Sequence, residues 1–439
     1  MLSLLRILLF RESMGKVYRK RIADRLLMDK LDAMGAVLIE GPKGCGKTTT
    51  AEQLAKSVLY MDDPERSEQY LQMAQTNIRF LLQGTTPRLI DEWQVVPKFW
   101  DAIRFEVDHR NEVGQYILTG SAVPPETKDI HHTGTGRYGW LTMRPMSLWE
   151  TGDSNGGISL SEAFRSPEQI GSSANLTMER LAFLVCRGGW PNSLWAKTEK
   201  AALTQAAEYY EAITRSDISR VDDVRRDEER AKRLMRSYAR HQGTQASMQT
   251  ILDDIAVNDT EEMSSATLAS YLNALKKIFV IEDMPAWNPN LRSKTAIRTS
   301  DTRYFVDSSV ACAALGLGPD DLINDLNTFG LFFETMCIRD LRVYADALDG
   351  RVYHFRDKNG LECDAVIHLR NGSYGLIEIK LGGDKLIEEG AKNLIALSEK
   401  IDTTRMKAPA FMMVLTGVGA YAYRRTDGVY VVPIGCLKD

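Results

Sequence analysis

Eight residues near the amino terminus limit the fold of this chain more than any other feature. The run Gly-Pro-Lys-Gly-Cys-Gly-Lys-Thr at residues 41–48 fits the pattern G-x-x-x-x-G-K-[ST]. An apolar run at 36–39 precedes it and a helical pattern at 51–55 follows it. A strand, a glycine-rich loop and a helix in this order point backbone N–H groups at phosphate oxygens. The sequence therefore predicts a nucleotide-binding α/β domain.

Each position of this loop has an expected role. Lys47 should reach the β- and γ-phosphates, and the hydroxyl of Thr48 should reach Mg²⁺. ATP and Mg²⁺ are therefore the expected cofactors. The residues predicted to bind the nucleotide are Gly41, Pro42, Lys43, Gly44, Cys45, Gly46, Lys47, Thr48 and Thr49.

A second motif predicts hydrolysis as well as binding. Residues 88–92 form a short apolar strand that ends in Asp91 and Glu92. Asp91 is expected to hold Mg²⁺, directly or through water, and Glu92 to polarise the attacking water. One further strand, at 58–61, separates the two motifs, which is typical of NTPases with a catalytic glutamate.

Four polar residues at the ends of later elements are further candidates. Thr119 and Ser121 are expected either to sense the γ-phosphate and position water or to cap the end of a strand. Arg137 and Arg144 are candidate arginine fingers, in cis or in trans, or else solvated loop residues. A finger in trans requires a second copy of the chain, so a homo-oligomer is an expected partner.

Length and composition narrow the class of protein. A chain of 439 residues predicts about two to four domains. The formal net charge of -4 gives no overall attraction to nucleic acid, so any such binding needs local basic patches. Six cysteines without C-x-x-C spacing argue against zinc and disulfides and fit a reducing cytoplasm.

The first ten residues are apolar but are interrupted by Arg6. A bilayer span needs about 20 apolar residues, so we expect no membrane segment here. A small-residue cleavage site is absent after this run, which argues against a signal peptide. Met14 is an alternative start.

The order of patterns along the chain predicts four regions. Residues 15–150 alternate helical and strand patterns, as in a parallel sheet covered by helices. Residues 151–227 are mostly helical, residues 228–301 suggest a winged helix-turn-helix, and residues 302–439 begin a strand-rich region. The expected fold class is α/β, with a helical and winged-helix region in the middle.

The winged-helix prediction depends on three helices followed by two strands. The predicted helices lie at 231–239, 247–256 and 266–277, and the predicted strands at 279–281 and 303–306. The basic residues between the two strands are Arg292, Lys294 and Arg298. Such a module suits contact with a DNA backbone. Because four acidic residues dilute its charge, packing between domains is an equal alternative.

The carboxy-terminal region contains a hairpin with two carboxylates and a lysine. Asp364 and Glu378 are expected to bind Mg²⁺, with the Ile379 carbonyl as a further ligand, and Lys380 to steady the attacking water. Glu378 and Lys380 share a strand face because they are two residues apart. A two-residue turn at Asn371-Gly372 would put Asp364 on the other face, so the site requires a loop of odd length. A solvated hairpin is the alternative.

Taken together, these residues resemble bacterial and archaeal AAA-type P-loop ATPases that end in a domain of uncharacterised function. The resemblance covers most of the chain. Besides the phosphate loop, it is carried by residues 89–94, 118–121, 136–137, 144–150, 188–191, 304–307 and 333–334.

The carboxy-terminal part resembles the PD-(D/E)XK nuclease fold. This resemblance implies a restriction-nuclease-like α/β domain at 302–439, with Glu334 as the first-helix acid, Asp364 as the central acid and Glu378-Ile379-Lys380 as the E-x-K. It also implies DNA or RNA as a partner.

Two functions follow from these patterns. In the first, the chain is an ATPase that acts on nucleic acid and cuts it with a metal-dependent nuclease domain. In the second, ATP switches domain docking or oligomeric state, and the carboxy-terminal domain binds a partner without cutting. The position of Asp364 relative to Glu378 and Lys380 separates the two.

Overall fold

The structure is a computed structural model. It describes residues 17–121, 133–166, 171–222, 224–256, 263–289 and 300–439. Within these ranges, no helix is both long enough and apolar enough to cross a membrane.

The first part of the chain folds around a parallel sheet of five strands. They are β1 (Ala36–Glu40), β2 (Ser57–Tyr60), β3 (Arg88–Asp91), β4 (Tyr116–Gly120) and β5 (Tyr138–Thr142), in the order β2-β3-β4-β1-β5. The flanking helices are Ile22–Ala33, Lys47–Leu54, Ser67–Leu81 and Phe99–Arg110. All five residues of β4 are buried, as expected for a central strand with both faces covered. The carboxyl ends of β3, β4 and β1 therefore lie side by side, and the predicted nucleotide motifs follow these ends.

The middle of the chain is mostly helical. A short helix, Leu148–Thr151, ends the first domain. The helices that follow are Leu160–Arg165, Met178–Arg187 and Glu199–Ala212, continued by a π-helical turn at Ile213–Asp217 and by Ile218–Arg220. Three further helices, Glu228–Arg240, Met248–Ala256 and Ser265–Lys277, match the helices expected of a winged helix. Within residues 263–289 and 300–439, the two following segments pair through isolated antiparallel bridges, Ile281 with Phe305 and Met284 with Thr302.

The predicted DNA-contacting charges of this module receive little support. Arg292, Lys294 and Arg298 lie outside the described residues. On the third helix, Lys276 is paired with Asp283 at 2.8 Å, and five residues of that helix are buried. The described part of the module therefore favours packing between domains over an exposed basic face.

The carboxy-terminal part is a sheet of six strands covered on both faces. The strands are β7 (Gly350–Arg356), β8 (Glu362–Leu369), β9 (Tyr374–Lys380), β10 (Phe411–Thr416), β11 (Tyr423–Arg424) and β12 (Tyr430–Pro433), in the order β11-β12-β10-β9-β8-β7. Helices Ser308–Leu315 and Pro319–Asn324 precede it. Ala365 and Ile377 pack on helix Leu326–Asp346, whereas Val366 and Leu376 pack on helix Asp384–Lys400. This alternation is the period of two that a strand imposes.

The end of the chain returns to the middle region. A short strand β6 (Ile158–Ser159) pairs in parallel with the last strand, β13 (Leu437–Lys438). The hydroxyl of Ser154 also donates to the carbonyl of Leu437 at 2.7 Å. The carboxy-terminal sheet is therefore attached to the middle helices at its end as well as at its beginning.

A buried ion-pair network joins the three parts of the chain. Arg339, which is 2% exposed, lies 2.7 Å from Asp307 and 2.7 Å from Asp340. Asp307 also accepts a hydrogen bond from the backbone N–H of Gly189, and Asp340 accepts one from that of Leu148. Each carboxylate thus links the helix Leu326–Asp346 to a different earlier segment.

The structure does not support Arg144 as an arginine finger. Its guanidinium binds both carboxylate oxygens of Glu282, at 2.7 and 2.6 Å, and one oxygen of Asp346 at 2.5 Å. Burial alone would raise the pKa of Glu282, but Arg144 and Arg342 overcome it and hold that pKa at about 2. Arg144 therefore joins the end of the first domain to the two later parts.

We predict that Arg144→Ala lowers the free energy of unfolding by roughly 2 kcal/mol at pH 7, because it leaves two half-buried carboxylates without their partner. Since Glu282 has a lowered pKa, its contribution is complete above its ordinary pKa of 4.5 and is lost as the pH falls toward 2. Urea unfolding at several pH values should show the difference from the wild type shrinking across that window.

The matched control is Arg215→Ala. Arg215 also pairs with two carboxylates, those of Glu211 and Glu228, but its side chain is 63% exposed. Its loss should cost less than about 1 kcal/mol. Equal effects for the two variants, or a difference that persists at pH 2, would contradict a stabilising role of the buried network.

Candidate functional site

The phosphate loop connects β1 to helix Lys47–Leu54, as the sequence predicts. Gly41, Gly44 and Gly46 all have positive φ angles, of 152°, 73° and 101°. A Cβ atom at Gly41 would come within 2.0 Å of the Met143 carbonyl oxygen, so only glycine fits there. Cys45 directs its side chain into the core, so only its backbone is available to a phosphate.

Lys47 is folded back across this loop. Its ammonium group donates hydrogen bonds to the carbonyl oxygens of Gly41 and Pro42, at 2.7 and 2.9 Å. The residue is only 6% exposed, so these carbonyls satisfy a charge that water hardly reaches. To bind phosphate oxygens, the side chain has to exchange these two partners for the nucleotide.

The predicted magnesium ligands are adjacent. The hydroxyl of Thr48 donates to Asp91 at 2.8 Å, and the hydroxyl of Thr119 donates to the same carboxylate oxygen. Burial raises the pKa of Asp91, and these two hydrogen bonds oppose the rise. A hydroxyl and a carboxylate are oxygen ligands that suit Mg²⁺. Thr119, expected as a phosphate sensor or strand cap, orients Asp91 in this structure.

Glu92 lies in the left-handed region, with φ 53°, directly after β3. Its carboxylate accepts hydrogen bonds from the Gln94 amide and, at 3.3 Å, from the Ser121 hydroxyl. Burial raises the pKa of Glu92. All three residues line a cavity of about 430 Å³ in front of the phosphate loop. Glu92 is therefore placed beside a space that can hold water or phosphate.

Three residues near the nucleotide site were missed from the sequence. Asp217, in the π-helical turn, pairs with Lys43 of the loop at 2.9 Å, and Arg220 lines the same cavity as Glu92. Arg21 donates from beneath the loop to the Cys45 carbonyl at 2.8 Å. None of the three stands in a recognisable motif, and a charge on a short helix is usually solvated. Only the fold brings them to the loop.

Arg137 lies at the other end of the sheet from the phosphate loop. Its backbone carbonyl bonds to Ala36 at the start of β1, and its side chain pairs with Asp108 at 2.8 Å. The five residues of β1 separate that position from Gly41, which is roughly 15 Å along a strand. An arginine side chain cannot cover this distance, so Arg137 cannot be a finger in cis. A finger in trans and a loop residue paired with Asp108 are the two roles that fit this position.

The carboxy-terminal hairpin has the odd loop that the candidate metal site requires. Ala365 pairs with Ile377 and Val366 with Leu376, and continuing this register places Asp364 opposite Glu378. Leu369 donates to Ser373, leaving residues 370–372 as a three-residue loop. Glu378 shares its strand face with Lys380, so this register brings Asp364, Glu378 and Lys380 to one face of the hairpin.

Lys380 lies between the two carboxylates of this hairpin. Its ammonium nitrogen is 2.7 Å from Glu378 and 3.2 Å from Asp364, and the Ile379 N–H donates to Asp364 at 2.7 Å. Burial, followed by the nearby Asp364 charge, raises the pKa of Glu378 to about 8. The second oxygen of Glu378 is buried and accepts no hydrogen bond of ordinary geometry within the described residues, while the Asn393 side chain lies near this carboxylate and opposes the rise of its pKa. An unsatisfied buried carboxylate oxygen is a position that a cation would stabilise.

Glu334 approaches this hairpin from helix Leu326–Asp346. Burial, followed by the charge of Asp364, raises the pKa of Glu334 to about 8, and its carboxylate accepts a hydrogen bond from Tyr304. No group of three or more His, Cys, Asp and Glu side chains in the described ranges is arranged to hold a metal ion. The predicted metal ligands Glu334, Asp364 and Glu378 therefore lie near enough to affect one another's pKa, but they do not surround a common point.

Comparison with known families agrees with the first domain. Residues 34–152 match a family described as an AAA domain, which identifies an AAA-type P-loop ATPase domain and confirms that part of the prediction. ATP, usually with Mg²⁺, is the ligand of such domains. Residues 178–321 and 329–437 match two families described as domains of unknown function, DUF8612 and DUF4143. A search of the curated proteins found no match.

Two solved structures are similar at a low level. The Walker-type ATPase PABY2304 of Pyrococcus abyssi is 14% identical with a TM-score of 0.41, over 66% of this chain and 94% of that chain. The Drosophila ORC bound to DNA is 14% identical with a TM-score of 0.20, over 69% of this chain and 89% of that chain. Likeness at these levels adds nothing to the assignment, which therefore rests on the AAA domain match.

We predict that Glu92→Gln still binds ATP but loses turnover by a factor of ~10², because the amide keeps the contacts of the carboxylate but cannot polarise water as a base. Lys47→Ala should instead lose ATP binding itself. Calorimetric titration and phosphate release measure the two properties separately. Equal loss of binding and turnover in Glu92→Gln would contradict the role of this residue.

Proposed function

We propose that this chain hydrolyses ATP in its first domain and uses a PD-(D/E)XK nuclease-like carboxy-terminal domain to cut DNA or RNA. The observation that carries the second half is the convergence of Asp364, Glu378 and Lys380 on one face of β8 and β9. The four regions of the sequence analysis, 15–150, 151–227, 228–301 and 302–439, are the domains of this proposal.

In the ATPase domain, each residue has a role that follows from its contacts. Lys47 leaves the carbonyls of Gly41 and Pro42 and binds phosphate oxygens. Thr48 and Asp91, already hydrogen-bonded to each other, would hold Mg²⁺, which neutralises phosphate charge when bound. Glu92 faces the cavity and accepts a proton from the attacking water.

In the carboxy-terminal domain, Asp364, Glu378 and the Ile379 carbonyl would hold Mg²⁺, which activates water and polarises a phosphoryl oxygen when bound. The unsatisfied oxygen of Glu378 supports this fit. Lys380 then turns from the carboxylates toward the substrate phosphate and stabilises its developing negative charge. Glu334 is the acid at the edge of the site.

One observation favours a second candidate function. The ammonium of Lys380 occupies the space between the two carboxylates in which a cation would otherwise bind. A lysine that stays there makes the hairpin a closed structural ion pair. The chain would then be an ATP-dependent switch whose carboxy-terminal domain binds nucleic acid or a partner without cutting it.

A cleavage assay with Mg²⁺ or Mn²⁺, with and without ATP, separates the two functions. We expect Glu378→Gln to abolish cutting of DNA or RNA and to leave ATP turnover within about twofold, because the two sites lie in separate domains. The matched control is Glu389→Gln, a more exposed carboxylate on helix Asp384–Lys400. Cutting that survives in Glu378→Gln, or no cutting by the wild type, would reject the nuclease and favour the switch.

Arg137 is proposed to act on the nucleotide of a second copy. If so, ATP turnover per subunit should rise with protein concentration as subunits meet. Mixing Arg137→Ala with Lys47→Ala should restore activity, since each copy supplies what the other lacks. Turnover that is independent of concentration, with no rescue in the mixture, would leave Arg137 as a structural partner of Asp108.

A further inference from the structure

A cavity of about 760 Å³ opens between the ATPase domain, the middle region and the carboxy-terminal sheet. We call it the interdomain groove. Its ATPase side is formed by Lys30 and by Trp140–Thr142 of β5. Its opposite side is formed by residues 350–353 of β7, by His368 and Leu369 of β8, and by Arg370 in the loop that follows β8. Neither the nucleotide site nor the candidate nuclease site uses these residues.

The charges that line the groove leave an excess of positive charge. Glu282 and Asp346 are paired with Arg144, and Asp283 with Lys276 and Arg303. Three cations that line the groove have no ion-pair partner within the described ranges: Lys30, Arg351 and Arg370. One acid that lines the groove, Asp349, likewise has no ion-pair partner there. A ligand with negative charge is therefore favoured.

Flat side chains lie among these cations. Trp140 is 45% exposed although it stands on a strand, and Tyr353 and His368 line the facing side half-buried. Burial lowers the pKa of His368 below the ordinary value of a histidine. Unpaired cations beside an exposed ring, here that of Trp140, are features with which proteins bind single-stranded nucleic acid.

The backbone of the groove is also available. β5 and β7 are edge strands of their sheets. Within the described residues, the backbone at 139–142 of β5 bonds only to β1, and the backbone at 350–353 of β7 bonds only to β8. Their outer N–H and C=O groups can bind base edges. The volume falls in the range of pockets for small organic ligands, which suits a short stretch of single strand better than a duplex.

We propose that the interdomain groove binds single-stranded nucleic acid, with Lys30, Arg351 and Arg370 on phosphates and Trp140 stacked on a base. This inference rests on the proposed function and specifies its substrate as single-stranded nucleic acid. β8 joins the groove to the candidate nuclease site, since Asp364 stands four residues from His368, about 13 Å along the strand. β5 joins it to the nucleotide site, because β5 pairs with β1, which leads into the phosphate loop.

The test uses the full chain and a fluorescent 15-nucleotide oligo(dT), with binding followed by anisotropy across a salt series. Three phosphate contacts to a single strand should give a log–log salt slope steeper by about 2 than in their absence. The triple variant Lys30→Gln, Arg351→Gln, Arg370→Gln should therefore lose at least ~10-fold in affinity and about 2 in slope.

A matched triple variant controls for loss of charge alone. Lys197, Lys200 and Lys407 are exposed lysines that do not line the groove. Changing all three to glutamine should leave affinity and slope within about twofold. ATP turnover of every variant verifies that it has folded.

Trp140→Leu provides a second, independent readout. It keeps an apolar side chain on β5 but removes the stacking surface, so affinity should fall about tenfold while the salt slope stays unchanged. Unchanged affinity in both this variant and the groove triple would overturn the groove as the path of the strand, and would leave the proposed function standing if the wild type binds. Absence of oligo(dT) binding by the wild type would overturn the groove proposal, whereas the cleavage assay on DNA and RNA decides the proposed function.

The same assay decides between nucleic acid and an acidic peptide. Poly-glutamate of matched charge should compete at least ~10-fold more weakly than unlabelled oligo(dT), because it offers no bases to Trp140. Stronger competition by poly-glutamate would assign the groove to an acidic polypeptide and overturn the proposal.

Discussion

The arrangement of the whole chain depends on one buried guanidinium. Arg339 carries a full charge where water hardly reaches it, so it is stable only while Asp307 and Asp340 stay in place. Those two carboxylates are in turn fixed by N–H groups of Gly189 and Leu148, in the middle region and at the end of the first domain. The interdomain groove and the Arg144 network both presuppose this arrangement, because each is built from residues of all three parts.

The nucleotide site could be predicted because its determinants are local. Glycines at 41, 44 and 46 dictate the curvature of the loop, and the acids after β3 follow directly from a strand that ends there. What local pattern could not supply were the partners that come from other segments. Asp217, Arg220 and the two carboxylates around Arg144 lie far along the chain from their sites, and only the packing of the middle region brings them close. For this reason neither expected role of Arg144, an arginine finger or a solvated loop residue, matches the buried ion pairs that it forms.

The hairpin shows a different limit. Asn371-Gly372 suits a two-residue turn, yet the same dipeptide here occupies a three-residue loop with Gly372 at φ 81°. One residue of difference reverses the face of every side chain on the strand. The sequence therefore identified the acids of the candidate site and the condition for their convergence, whereas the backbone alone decided that the condition is met. Neither the sequence pattern nor the strand register predicted that the Lys380 ammonium lies between the two carboxylates.

The folded-back position of Lys47 has a consequence for the ligands that its loop favours. The two carbonyl oxygens solvate the ammonium group without cancelling its charge, so a phosphate oxygen has to replace two hydrogen bonds to reach it. A single phosphate offers few contacts in exchange, whereas a chain of phosphates also reaches the backbone N–H groups of the loop. Discrimination between one phosphate and several would thus begin at this lysine, before any base or sugar is contacted.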